Sequence, residues 1–409
     1  MITVHEAHEI IAVTSQRLEA TVPVPLRQLR NRVLAEDVRA GFPMPRFTNA
    51  AMDGFAVRSG EIAGASESDP ITLPVSQEVA AGTLDVKPLA PGSCARIMTG
   101  APMPDGADTV VPFEKTSGFG NDMISFYQEP VKGANIRHEG AEVQPGALLA
   151  AAGTRMTPAE IAILASSGIG SAMVWPQPGV SIITVGDELR MPGEAIEHLA
   201  IYNSNLPMLE ACVEASGAIV RQALQLPDNR VAIREALASA IAESEMIVTA
   251  GGISTGQYDF MHEELEALGV EQKFWKVAQK PGKPLYFGAT GSGKLVFSLP
   301  GNPVSALVGF LEYSLPALYR MQGREPAGKF SATLDEPFPA DRKRHRFLLG
   351  RLRVEAGALR CQLSVKTESH MLTALSSANC LVEASPSPNP LPPGALITCT
   401  MLPWTNALH

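Results

Sequence analysis

The sequence predicts a multidomain α/β plus β fold organised around a central parallel α/β domain at residues 174–327. Three observations carry that expectation. From Val174 onward, apolar strand-like runs alternate with amphipathic stretches, the pattern of strand–helix–strand units. Short apolar runs cut by Pro and Gly fill residues 47–132 and return from 328 to 409, which reads as a small Pro/Gly-rich β domain and a C-terminal β domain. Residues 1–46 and 133–173 each carry a capped helix start, and they are expected to form a separate helical/β region. At 409 residues the chain is too long for one ordinary core, so several domains are expected.

The elements follow in order. Thr3-Val4-His5-Glu6 is a capping box, and Val4, Ala7, Ile10 and Ile11 then mark one helix face. Phe42-Pro43-Met44-Pro45 cannot continue a helix and marks a boundary. Residues 71–75, 95–98 and 108–111 read as strands. Thr157-Pro158-Ala159-Glu160 is a second capping box, opening a helix that ends at Gly168. In the α/β region, strands are expected at 180–185, 220–226, 246–249, 273–277 and 295–299. Helices are expected at 205–216, along the stripe Ile233, Ala236, Leu237, Ala240 and Ile241, and from Pro303 to about Met321.

Composition excludes several functions. A net charge of −9 argues against general affinity for nucleic acid or acidic membranes, while leaving room for one local basic pocket. The five cysteines are scattered, odd in number and never spaced C-x-x-C, so they read as free thiols rather than a disulfide framework or zinc knuckle. With no charged-then-apolar leader and no run of about 18 apolar residues, a cytoplasmic, membrane-free protein is expected.

Ligands of open α/β sheets gather at the carboxyl ends of the strands, so the loops there carry the functional expectation. Gly186-Asp187-Glu188 follows an apolar strand directly; taken alone, it is a turn. Thr249-Ala250-Gly251-Gly252-Ile253-Ser254-Thr255-Gly256, with Asp259 beyond, offers backbone N–H groups and hydroxyls to an anion, without a Walker lysine or a dinucleotide fingerprint. Pro300-Gly301-Asn302-Pro303-Val304-Ser305 opens a helix, with Asn302 suited to its N-cap and the free N–H groups facing an anion. Between these loops, Lys276, Lys280 and Lys283 sit on a turn stiffened by Pro281, Gly282 and Pro284, a phosphate-facing pattern in an otherwise acidic chain. Asp53, Asp187, Glu188, Asp228 and Asp259 could jointly hold one Mg²⁺ against ligand phosphates. No zinc-type histidine pattern occurs, and His262 reads as a packing or capping residue. Asp53-Gly54 reads as a hairpin turn, and Thr99 as a hydroxyl on a Gly-Pro turn.

Taken together, Asn49-Ala50-Ala51-Met52-Asp53-Gly54-Phe55-Ala56, residues 96–104, 185–189, 249–260, 280–284 and 300–306 resemble the molybdopterin molybdenumtransferase family, which includes the C-terminal domain of gephyrin. Asn135-Ile136-Arg137, with Gly140 and Glu142, resembles the family's connector. The resemblance covers nearly the whole chain. It implies a Mg²⁺-dependent transferase that takes adenylylated molybdopterin and molybdate, inserts molybdenum and releases AMP. It also implies a homodimer, with the connector as dimerisation domain, 174–327 as molybdopterin-binding domain, and an active site shared between subunits. The upstream adenylyltransferase and recipient molybdoenzymes are further expected partners.

Carried over residue by residue, Asp53, Thr99, Glu188, Asp259, Lys276 and Lys280 would be catalytic, Asp53 and Thr99 being supplied across the dimer. Gly251, Gly252, Ser254, Gly256, Lys283, Pro300, Gly301, Asn302, Pro303 and Ser305 would bind the ligand, and Asp187, Glu188, Asp228 and Asp259 the metal. Two positions depart from the family. Leu349 stands where an arginine is usual, leaving Arg346 or Arg351 to substitute, and Glu368-Ser369 replaces a Gly-Ser pair. The alternatives are molybdopterin adenylyl transfer and a non-catalytic scaffold, and the sequence leaves molybdate against tungstate open.

Overall fold

The computed structural model describes residues 1–196, 198–252, 260–326 and 328–405. The chain divides into two compact units, one of Met1–Val24, Leu29–Ala35 and Met173–His409, the other of Pro25–Gln28 and Glu36–Ala172. The fold class is the expected α/β plus β.

In the first unit the strands Ile219–Leu226, Gly179–Val185, Met246–Ala250 and Leu295–Leu299 run parallel in that order. The last three are buried along their whole length, as strands covered on both faces must be. Their side chains divide between two cores. Val180, Ile182, Val248 and Phe297 pack with Leu206, Leu209 and Leu307. Ile183, Ile247 and Val296 pack with Ile233, Leu237 and Leu265. The capped helix Val4–Thr14 joins the first of these cores through Val4, Ala7 and Ile11.

Register decides where the loops meet. Val185 lies opposite Leu226, Thr184 opposite Ala250, and Ala250 opposite Leu299. The four strands therefore end level, and the chain leaves them at Gly186, Pro227, Gly251 and Pro300 along one edge.

The parallel sheet carries an antiparallel border on its other side. Tyr286–Thr290 runs antiparallel to Leu295–Leu299, and Val270–Trp275 antiparallel to Tyr286–Thr290. Residues 291–294 are too few for the crossover that a parallel pair requires, and Gly293 takes the left-handed conformation of a tight turn (φ 83°). The Tyr286–Thr290 strand escaped the sequence reading because Gly288 interrupts it. A Cβ there would lie 2.9 Å from the Glu271 carbonyl, so close strand packing demands the glycine.

The expected helix from Pro303 to Met321 is continuous, but Phe310–Ser314 adopts a π turn. That register accommodates Pro316, which has no N–H to give.

The C-terminal strands form a six-stranded sheet in the order Gln279–Lys280, His345–Glu355, Ala358–Leu363, Lys329–Leu334, Leu396–Met401 and Cys380–Ala384. Pairing of His345–Glu355 with Cys380–Ala384 closes its last five strands into a barrel. Gln279–Lys280, from the lysine turn, is thus a strand of the C-terminal sheet.

The second unit holds a five-stranded sheet in the order Thr109–Pro112, Gly54–Val57, Cys94–Ile97, Ile71–Val79 and Met123–Phe126. Its second capping box forms at Thr157 and Glu160, ahead of the helix Pro158–Ser166. Among the described residues, no helix is long and apolar enough to cross a membrane.

Candidate functional site

The acidic loops sit on the level strand ends. Gly186 donates its N–H to the Leu226 carbonyl at 3.1 Å, and a Cβ on it would lie 2.7 Å from Glu188 Oε2, so the Glu188 carboxylate folds back over this glycine. Asp187 and Asp228 bind each other reciprocally. The Asp187 N–H donates to Asp228 Oδ2 at 3.2 Å, and the Asp228 N–H donates to Asp187 Oδ1 at 3.0 Å. Each carboxylate is thereby held in one orientation by the other residue's N–H.

Gly251 donates to the Leu299 carbonyl at 3.2 Å and has φ 87°; a Cβ there would stand 2.4 Å from the Val185 carbonyl oxygen. No side chain fits, because the glycine brings one loop against the end of a neighbouring strand. A Cβ on Gly301 would lie 3.7 Å from Gly251 Cα, so the third loop closes on the second. Asn205, unanticipated from sequence, ties the group together by donating from Nδ2 to the Gly301 carbonyl at 2.7 Å. Among the described residues its buried Oδ1 has no partner. Ser254, Gly256 and Asp259 lie outside the described residues.

Asn302 occupies the N-cap position, but its side chain does not cap the helix. Its Nδ2 donates instead to Ser369 Oγ at 3.1 Å, while the Val304 N–H donates to the Ser369 carbonyl at 3.0 Å. The C-terminal domain therefore grips the third loop through Ser369, one of the departures from the family pattern. Pro300 and Ser305 are buried, Pro303 is half-buried, and Gly301 and Asn302 remain exposed. The helix start places its positive dipole end at this loop.

The lysine turn leans on the same helix start. A Cβ on Gly282 would lie 3.3 Å from the Ser305 carbonyl. Buried Gln279 donates to the Pro281 carbonyl at 3.0 Å and accepts from the Tyr313 hydroxyl, tying the turn to the π segment. Lys276 takes a left-handed backbone (φ 67°) and rests its ammonium 3.7 Å from the Trp275 ring centroid, a cation–π contact. Lys280 pairs in register with Arg346, and Lys283 is exposed. His262 packs as expected, 4.5 Å from the Trp275 ring and 4.9 Å from Tyr286. Burial pulls its pKa down, with the Lys276 charge adding to that effect against a hydrogen bond to Gln272.

Of the two arginines left to substitute, Arg346 is the one beside the lysine turn. Leu349 is buried in the α/β core cluster and Arg351 is exposed, whereas Arg346 sits beside Lys280 with Nε buried and, among the described residues, unpartnered. Burial lowers its pKa, and the charges of Asp341 and Glu368 oppose the shift.

In the second unit the structure joins Asp53 and Thr99. Asp53 Oδ1 accepts from both the Thr99 N–H and its hydroxyl, each at 2.7 Å. The Thr99 N–H, and then its hydroxyl, hold the carboxyl below its ordinary range. The expected Asp53-Gly54 hairpin does not form. Gly54 opens a strand between two others, where a Cβ would lie 2.0 Å from the Val111 carbonyl, so the glycine serves close packing.

Among the described residues, then, the level strand ends carry Asp187, Glu188 and Asp228 and the touching Gly251 and Gly301 loops beside a helix start, while Lys280 and Arg346 lie side by side on the C-terminal sheet. Family models place the chain among multidomain proteins of molybdopterin-binding type. The family model "Probable molybdopterin binding domain" matches residues 181–320. Flanking it, "MoeA N-terminal region (domain I and II)" matches 2–168 and "MoeA C-terminal region (domain IV)" matches 331–402.

The particular family follows from the relatives. Molybdopterin molybdenumtransferase 2 of Mycobacterium tuberculosis is 34% identical over 388 residues, covering 92% of this chain and 94% of that protein. Molybdopterin molybdenumtransferase of Haemophilus influenzae is 33% identical, covering 87% and 88%. A crystal structure of the molybdopterin biosynthesis MoeA protein of Pyrococcus horikoshii superposes with a TM-score of 0.82 at 29% identity, covering 98% of this chain and 99% of that one. This chain belongs to the molybdopterin molybdenumtransferase family.

Proposed function

We propose that the chain inserts molybdenum from molybdate into molybdopterin presented as its adenylate, releasing AMP and the molybdenum cofactor. The observation that carries this reading is the closure of the Gly251 and Gly301 loops on one another beside the lysine turn. Both substrates are anions, and their mutual repulsion is the first barrier to the reaction. Lys276, Lys280, Lys283 and Arg346 supply the opposing charge, and the helix start at Pro303 supplies a fixed dipole. Pro300, Asn302, Pro303 and Ser305 shape the wall against the oxyanion.

Mg²⁺ is assigned to Asp187, Glu188 and Asp228 on the family resemblance; Asp187 and Asp228 are paired through each other's N–H groups, but among the described residues the three carboxylates do not converge into one metal-ligand cluster. Bound there, it would neutralise the pyrophosphate. Ser254 and Gly256 are assigned to ligand binding, and Asp259 to metal and catalysis, on the family resemblance. The same resemblance supports a homodimer in which a second copy contributes Asp53 and Thr99. It also supports the division into a connector (1–46 and 133–173), a small β domain (47–132), the α/β domain (174–327) and a C-terminal domain (328–409), and a cytoplasmic setting.

The test is AMP release from adenylylated molybdopterin, with Mg²⁺, in the presence and absence of molybdate. Molybdate-dependent release together with active cofactor supports the proposal. ATP-dependent formation of adenylylated molybdopterin would replace it with adenylyl transfer, and binding without turnover would make the chain a scaffold.

A further inference from the structure

Three of the five cysteines, far apart in sequence, meet inside the C-terminal barrel. Cys361 on Ala358–Leu363, Cys380 on Cys380–Ala384 and Cys399 on Leu396–Met401 are each fully buried, with their sulfurs within 4.8 Å of one another. All are free thiols. The surroundings are apolar, with Leu334, Phe338, Leu352, Val382 and Ile397 in the same cluster. Packing alone needs small apolar groups there, which alanine or valine would supply; it does not need three sulfurs brought to one point from three strands. Gly350 helps make the room, since a Cβ on it would lie 2.6 Å from Val382 Cγ2 and 3.2 Å from Cys361 Sγ.

We propose that Cys361, Cys380 and Cys399 form a closed, three-coordinate thiolate site for one soft monovalent cation, copper(I), that staples the barrel. A trigonal metal with bonds of about 2.3 Å places its sulfurs about 4 Å apart, within reach of the observed spacing after small rotamer adjustments. Soft thiolates select copper(I) over hard cations. Zinc asks for a fourth ligand, and among the described residues the cluster offers three. Loading forms three sulfur–copper bonds and breaks three S–H bonds, the protons passing to solvent, with no change in oxidation state. The resulting charge is met by Arg353 and opposed by Asp335, the two being ion-paired, and the Asp335 N–H donates to the Cys361 carbonyl at 3.0 Å. Burial of all three sulfurs implies loading during folding, as in structural metal sites.

The test uses the full chain, refolded anaerobically with copper(I) and a chelating competitor. The expected result is one copper(I) retained per chain, an ultraviolet thiolate-to-copper charge-transfer band, and X-ray absorption showing three sulfur neighbours. Cys361→Ser, Cys380→Ser and Cys399→Ser should each lose retention at least tenfold, while Cys212→Ser keeps it. If a serine variant does not fold, the absorption spectrum of the unsubstituted protein decides alone. Absence of retained copper, a coordination shell lacking three sulfurs, or retention unchanged in folded variants would overturn the site.

Discussion

The acidic and the basic sides of the site are built differently. Asp187 and Asp228 are held by each other's backbone N–H groups, at the level ends of two adjacent strands. The lysines are held by what packs around them. Lys276 lies on Trp275, Lys280 is paired with Arg346, and the turn is tied through Gln279 to Tyr313. The acidic side is therefore a consequence of sheet register, while the basic side depends on the C-terminal sheet and the π segment. Positions on the acidic side should fail through backbone strain, and those on the basic side through lost charge or loosened packing.

The largest expected effect tests the basic side. Lys280→Ala should lower molybdate-dependent AMP release by about 100- to 1,000-fold, the usual scale for removing one preorganised charge, with the thermal midpoint nearly unchanged. Next, Gly251→Ala forces a Cβ against the Val185 carbonyl at a left-handed φ. A stability loss of about 1–3 kcal/mol and an activity loss of about 100-fold should appear together in unfolding and turnover measurements. A folded, active Gly251→Ala would remove the strain argument from the acidic side.

Asn205→Ala should cost about tenfold in kcat/KM, because the Gly301 loop loses its tether while every charge stays. Tyr313→Phe leaves Gln279 with one partner fewer in a buried place. It should raise the KM for molybdate several-fold and leave kcat near normal, a split that marks a positioning residue. The smallest effect is a pH one. The folded Asp53 carboxyl titrates below its ordinary value of 3.8, so its bond to Thr99 is fully present above that pH and is lost as pH falls through the lower folded value. Asp53→Asn should flatten that acid limb of a stability–pH curve and change little at neutral pH, since the group is fully exposed.

The fold was legible where periodicity and punctuation agree. Both capping boxes form, and the buried strands Gly179–Val185, Met246–Ala250 and Leu295–Leu299 stand out as apolar runs. The antiparallel border was hidden by Gly288, whose purpose appears only beside Glu271. The glycine loops and lysines of the site were visible as unusual local composition. Asn205, Gln279 and Tyr313 were not, because each matters through a partner at least 34 positions away. Asn302 shows the same limit: its identity suggested a cap, and its actual partner, Ser369, lies 67 positions on. Arg346 was separable from Arg351 only once strand pairing set it beside Lys280.

The most direct measurement is single-turnover AMP release from adenylylated molybdopterin across a molybdate series, with the unsubstituted chain and Lys280→Ala side by side. The account predicts saturable, molybdate-dependent release for the former and a large loss for the latter. AMP release independent of molybdate, or equal in the two proteins, would contradict it.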